Sequence, residues 1–202
     1  MSTTSREFFE RMYRATKDPW SFASSAYEQK RYATILNFVP EGCFRRVFEP
    51  GCSIGELTAS LAQRCGSVTA IDIAEAAIET ARRRCRTFRN VDLRQGSLLD
   101  DIPTGPFDLV IVSEIGYYFT KSQLVNIASK LAARIGSSGQ LLAVHWTGMS
   151  TDHLLAGRDV HNILREHLPM EHFYGETLEW DDRDGFVLDI WRRPFNGKPG
   201  SP

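Results

Sequence analysis

Residues 47–55 read VFEPGCSIG, an apolar pair followed by an acid, a proline and small residues at alternate positions: Glu49, Gly51, Ser53 and Gly55. A loop of this composition between a strand and a helix lets a ligand approach the backbone closely, and the acid sets its sign. Three further groups sit at the ends of apolar, strand-like runs: Asp72 in SVTAIDI, Glu114 in FDLVIVSEI and His145 in LLAVHW. A carboxylate at such a position can accept hydrogen bonds from a ribose diol, and an acid or histidine can take a proton from a nucleophile.

The loop separates two phosphate-binding possibilities from a third. A P-loop needs Gly-Lys-Ser/Thr, and GCSIGELT contains no lysine. A dinucleotide fingerprint begun at Gly51 would place Glu56 where a tiny residue must pack helix on strand. A carboxylate followed by small residues, with no Lys or Arg, suits a ligand carrying ammonium and sulfonium charges, and adenosylmethionine is such a ligand. Asp72 lies about 20 residues beyond the loop, where the ribose-binding acid of a doubly wound fold stands.

The elements that must position these groups alternate. RRVFEP, SVTAIDI, VDLRQG, FDLVIVSEI and LLAVHW have strand character; GELTASLAQRC, AEAAIETARRRCR and SQLVNIASKLAARI have helical spacing, and GSSGQ looks like the turn before the fifth strand. Strands alternating with helices imply a parallel sheet covered on both faces, an α/β, doubly wound fold. After a helix around GRDVHNILREHL, the runs MEHFYGETLEW and GFVLDIWRR, separated by DDRDG, predict an antiparallel hairpin at the sheet edge. The expected organisation is an N-terminal helical lid over residues 1–40, one domain over 41–193 and a frayed tail over 194–202.

The N-terminal segment carries SREFFERMYRAT and AYEQKRYATILNFV, two amphipathic helices. Asp18-Pro19-Trp20 has the composition of a helix start. Tyr27 and Arg31, four apart, share a helix face and could meet the methionine end of the ligand, with Arg31 pairing its carboxylate. Trp20 is a lid anchor or a core residue.

Bulk properties limit the partners. The chain has 202 residues, 42% hydrophobic, with a formal charge of −1. That excludes a general attraction to nucleic acid, and no apolar run is long enough to span a membrane. The N-terminus lacks the basic start and apolar run of a signal peptide, so a cytoplasmic location is expected. The four cysteines include no Cys-x-x-Cys pair and read as free thiols. The histidines have no compact ligand spacing, and Asp152 with His153 alone do not make a metal site. ARRRCR reads as a solvated helix face.

In order, VFEPGCSIG, AIDI, RQGSLLD and FDLVIVSEIGYYF resemble the class I adenosylmethionine-dependent methyltransferases over about residues 45–145. The resemblance implies that Glu49, Gly51, Ser53 and Gly55 back the methionine part, Asp72 with Ile73 holds the ribose, and Ser97 with Leu98 flanks the adenine. Ser53 stands where the commonest pattern has glycine, and Ser97 where it has aspartate. DPWSFASSAYEQKRYATIL together with SEIGYYF is similar to the rhizobial nodulation protein S family, which methylates the free amine of a deacetylated chitooligosaccharide. VHWTGMSTDHLLAGRDVH departs from that family.

The chemistry expected is displacement at an activated methyl carbon, where alignment matters most and a base helps without being obligatory. Glu114 and His145 are the candidate bases, facing one crevice, with Glu114 read as an acceptor or cofactor contact and Tyr117 and Tyr118 orienting the acceptor. The expected acceptor is a small molecule bearing a primary amine, such as an amino sugar. The alternatives are O-methylation of a metabolite hydroxyl, in which His145 would matter more, and a binding module without catalysis. A nucleic-acid acceptor is disfavoured because SEIGYY replaces the Asn/Asp-Pro-Pro-Tyr/Phe type of motif.

Overall fold

The computed structural model describes residues 5–180 and 183–194. The expected tail, apart from residue 194, and residues 181–182 of the expected hairpin turn lie outside the described residues. Two helices come first, α1 (Arg6–Ala15) and α2 (Ala26–Asn37). Each starts at a serine whose hydroxyl accepts an amide of the first turn, Ser5 from Phe8 and Ser25 from Glu28. Asp18-Pro19-Trp20 does not begin a helix. The Asp18 carboxylate instead accepts the Phe22 and Ala23 amides at 2.8 and 2.9 Å, folding residues 18–23 into a compact loop.

The strands and helices then alternate: β1 (Arg46–Pro50), α3 (Glu56–Ala62), β2 (Ser67–Asp72), α4 (Glu75–Arg84), β3 (Val91–Gln95), β4 (Phe107–Ser113), α5 (Lys121–Arg134), β5 (Ile135–Trp146), α6 (Gly157–His167), β6 (Glu171–Trp180) and β7 (Arg183–Arg192). A 3-10 turn, Gly116–Tyr118, follows β4. The seven strands are ordered β3-β2-β1-β4-β5-β7-β6. β1 to β5 pair in parallel, and β7 is antiparallel to both β5 and β6. The hairpin is therefore at the edge, as its turn-rich composition implied.

GSSGQ is not a separate turn. It belongs to β5, where the pairing slips between Phe107↔Ile135 and Leu109↔Gln140, so the extra residues bulge from the strand.

Period-two alternation divides the sheet's side chains into two cores. Phe48, Val110, Val112, Leu141, Ala143 and Trp191 pack with α5 and α6. Val47, Leu109, Ile111, Leu142, Val144, Leu188 and Ile190 pack on the other face with α2 and α3. The strand order reverses between β1 and β4, which splays the following loops apart and opens a crevice at their carboxyl ends. No described helix is long and apolar enough to cross a membrane.

Ile35 of α2 is fully buried in the second core. Ile35→Ala is expected to lower unfolding free energy by about 2–5 kcal/mol. Phe173→Ala, at a side chain 54% exposed, should stay within about 0.5 kcal/mol. Urea midpoints read both, and equal midpoints would contradict this packing.

Candidate active site

The crevice holds a cavity of about 330 Å³ whose floor is the loop after β1 and whose walls come from β2, β4, α1 and α2. Gly51 and Cys52 donate their amides to the Ile71 carbonyl at 2.7 and 3.0 Å, which binds the loop to the end of β2. Gly51 has φ +72°, and a Cβ there would run into the Ile115 side chain, so only glycine keeps the backbone open to a ligand. Ser53 has φ +49°. Its hydroxyl accepts the Tyr13 hydroxyl at 2.6 Å and ties α1 to the loop.

Asp72 locks this arrangement. Its carboxylate accepts the Ser53 amide and the Ala74 amide, both at 2.9 Å. Burial pushes its carboxyl up to about 6, against the backbone hydrogen bonds that favour the anion. Glu49 is also buried and accepts the Thr58 hydroxyl at 2.6 Å. Burial raises it to about 8, more than the Thr58 bond and Arg31 lower it. Among the described residues neither acid has a cation in contact, the condition that a bound positive charge would relieve.

Arg31 crosses the cavity from α2. It is 2% exposed, and its guanidinium pairs with Glu28 and the Ser113 hydroxyl. Its buried Nε has no partner among the described residues. Burial works against its charge, but Glu114 and Glu28 outweigh that and hold it cationic.

Glu114 begins the turn after β4 with φ +59°, a conformation that strains a non-glycine residue. Its amide donates to the Val144 carbonyl at 3.0 Å. Its carboxylate accepts the Trp146 amide at 2.7 Å and the Tyr117 hydroxyl at 2.8 Å. Tyr118 stands edge-on to Phe9 of α1 with ring centroids 5.0 Å apart, and Tyr13 packs against Trp20 at 5.6 Å. These rings exclude water from the acids beneath them.

Most residues expected at the site meet here. Glu49, Gly51, Ser53, Asp72, Ile73, Ser97, Leu98, Glu114, Tyr117, Tyr118, Trp20 and Arg31 all line the cavity. The Ser97 hydroxyl accepts the Leu99 amide at 3.2 Å, so it shapes its own loop.

Three expected residues are placed elsewhere. Gly55 is the cap of α3, where φ +79° and close approach to Ala81 require glycine behind the lining. Tyr27 points to the hairpin: its hydroxyl donates to the Gly185 carbonyl at 3.4 Å and its ring meets Phe186. His145 is fully buried and does not face the crevice with Glu114. Its Nε2 accepts the Gly116 amide at 3.0 Å and its Nδ1 lies 3.1 Å from His161 Nε2, so neither nitrogen is free for substrate.

Phe9, Tyr13, Phe22 and Glu28 line the cavity without having been expected there. Phe9 and Tyr13 are four apart on α1, and Glu28 and Arg31 three apart on α2; those spacings carried the signal. Asp152 and His153 hold no place in a metal cluster, and no group of metal-binding side chains occurs among the described residues.

The donor set fits a cation with a carboxylate at one end. Four acids, Glu28, Glu49, Asp72 and Glu114, line the cavity with Arg31, the arginine among its described lining residues. The orphaned Arg31 Nε–H can donate to an acid oxygen, and Gly51 lines the same cavity without a side chain.

A ribose diol favours the ionised form of Asp72, so adenosylhomocysteine affinity should decline as pH falls through about 6. The Asp72→Asn variant loses charge-assisted bonds of about 1.5–3 kcal/mol and should bind at least about tenfold more weakly at neutral pH. Calorimetry at several pH values checks this, and a pH-independent affinity in the wild type would contradict it.

Comparison with known proteins agrees with this geometry. Residues 3–145 match the family of nodulation protein S, NodS. Nodulation protein S of Bradyrhizobium diazoefficiens is 30% identical over 166 residues, covering 76% of this chain and 79% of that protein. The Sinorhizobium fredii protein of the same name is 28% identical over 130 residues, which span 60% of its length and 63% of this chain. Among solved structures, the N-methyltransferase NodS from Bradyrhizobium japonicum WM9, in complex with S-adenosyl-L-homocysteine, superposes with a TM-score of 0.80 at 24% identity, covering 94% of this chain and 98% of that one. The chain therefore belongs to the nodulation protein S family.

Proposed function

We propose that this adenosylmethionine-dependent methyltransferase methylates a neutral primary amine on a small acceptor, such as a deacetylated amino sugar or chitooligosaccharide. The observation that carries the proposal is the cavity's excess of acids around one buried arginine. The N-methyltransferase named among the solved relatives supports the same chemistry. The bound donor supplies a methyl carbon made electrophilic by its sulfonium.

Arg31 holds the donor's carboxylate, Asp72 its ribose diol, and Ser97 with Leu98 borders the adenine. Glu49 and the Gly51 backbone lie beside the donor's cationic end, and a nearby positive charge favours ionisation of Glu49. The helices α1 and α2 act as the lid, with Phe9, Tyr13 and Trp20 keeping water out.

Glu114 meets the acceptor. Each carboxylate oxygen already accepts one hydrogen bond, from Trp146 or Tyr117, and retains a lone pair for an incoming ammonium group. The carboxylate takes the ammonium proton, and the freed nitrogen lone pair can then attack the methyl carbon, whose bond to sulfur breaks as the neutral thioether leaves. Tyr118 offers its ring to the sugar face. Alignment between Glu114 and the loop after β1 supplies most of the acceleration.

Methyl-labelled adenosylmethionine incubated with glucosamine oligomers and their N-acetylated counterparts tests the proposal. Label is expected on the amines alone, and label on a hydroxyl of the acetylated sugars would overturn it. Glu114→Gln should lower kcat/KM by about 10². Its adenosylhomocysteine affinity should remain within about tenfold, since the variant keeps an acceptor for Trp146.

A further inference from the structure

Behind the site, a buried polar chain runs from the inserted strand β7 through α6 and the end of β5 to the turn after β4. Asp189, His161 and His145 are each fully buried. We propose that these three side chains form a positioning relay that sets the Gly116 amide, and through it the Glu114 turn against which the acceptor binds. The proposal rests on the assignment of Glu114 to the acceptor site.

Only one arrangement of protons satisfies the chain. The Gly116 N–H can only donate, so His145 Nε2, 3.0 Å away, must carry the lone pair. A neutral His145 then bears its hydrogen on Nδ1 and donates to His161 Nε2 at 3.1 Å. His161 in turn bears its hydrogen on Nδ1 and donates to Asp189 Oδ2 at 2.6 Å. Asp189 closes the chain beneath two partly exposed side chains, His172, whose Nε2 lies 2.8 Å from Oδ1, and Arg165, which lies 2.8 Å from Oδ2.

Burial pushes His145 well below its ordinary range and also lowers His161, despite the raising effect of Asp189. Burial opposes the charge of Asp189, but its bonds to His161, Arg165 and His172 outweigh that and lower it. The pattern is an anion followed by two neutral rings, each polarising the next.

The backbone makes room for the relay at both ends. A Cβ on Gly116 would sit 2.8 Å from His145 Nε2 and 2.5 Å from Val160, while a Cβ on Gly175 would overlap Asp189 Oδ1. Apolar side chains could fill the same volume without desolvating a charge. What they could not do is hold the amide two residues after Glu114, whose left-handed backbone needs support from both sides.

Nitrogen-15 NMR of the full chain reads the tautomers directly. The expected result is a hydrogen on Nδ1 of both His145 and His161. His145→Gln keeps an oxygen that can accept from Gly116, so the Gly116 amide shift should persist with kcat within about tenfold of wild type. His145→Leu should move that shift and lower kcat by about 10², with the adenosylmethionine KM within about threefold.

A hydrogen on His145 Nε2, or a leucine variant with an unmoved Gly116 amide, would overturn the relay. Should the leucine variant fail to fold, the wild-type tautomers decide alone. Failure to methylate amines would sink the acceptor assignment while leaving the tautomers as stated, so the two failures are distinguishable.

Discussion

The carboxylate of Glu114 is the knot on which the site depends. The residue joins β4, β5 and the 3-10 turn through three contacts: its backbone amide donates to the Val144 carbonyl, and its two carboxylate oxygens accept the Trp146 amide and the Tyr117 hydroxyl. The left-handed backbone at Glu114 costs about 1–3 kcal/mol. Two charge-assisted hydrogen bonds offset that cost and fix the carboxylate in one orientation. Without them the turn would relax, and Tyr117, Tyr118 and Gly116 would lose their places together.

Facing this knot, the loop after β1 supplies the complementary half. Gly51 keeps the backbone open, Ser53 takes a left-handed conformation and receives Tyr13, and Asp72 clamps the loop from β2. The buried acids Glu49 and Asp72 are both shifted toward their neutral forms. A cation beside them favours their ionisation and a phosphate opposes it, and the surrounding rings keep the local dielectric low enough for that preference to matter.

Much of this could be read from the residues. The loop's small residues at alternate positions and the strand-end acids Glu49, Asp72 and Glu114 pointed to the crevice, because a parallel sheet puts strand ends on one side. What a strand end does not disclose is which face a side chain takes. Val144 packs on the α2 face, so the next residue, His145, must turn toward α6. There it meets His161 instead of substrate. Tyr27 shares α2 with Arg31, yet the hairpin lies across its ring, a long-range contact that helical spacing cannot encode. Phe9 and Tyr13 were hidden differently: their helix was legible as a lid, but not which of its side chains would line the cavity. GSSGQ carried a turn composition that the pairing of β4 with β5 overrode as a bulge.

The most direct test of the donor site is a crystal structure of the full chain grown with adenosylhomocysteine. The ribose hydroxyls are expected on the Asp72 carboxylate, the amino-acid carboxylate on Arg31, and the Glu114 carboxylate still bonded to Trp146 and Tyr117. A ligand that left Asp72 unengaged, or a Glu114 turn that opened to admit it, would contradict the donor seat and its support.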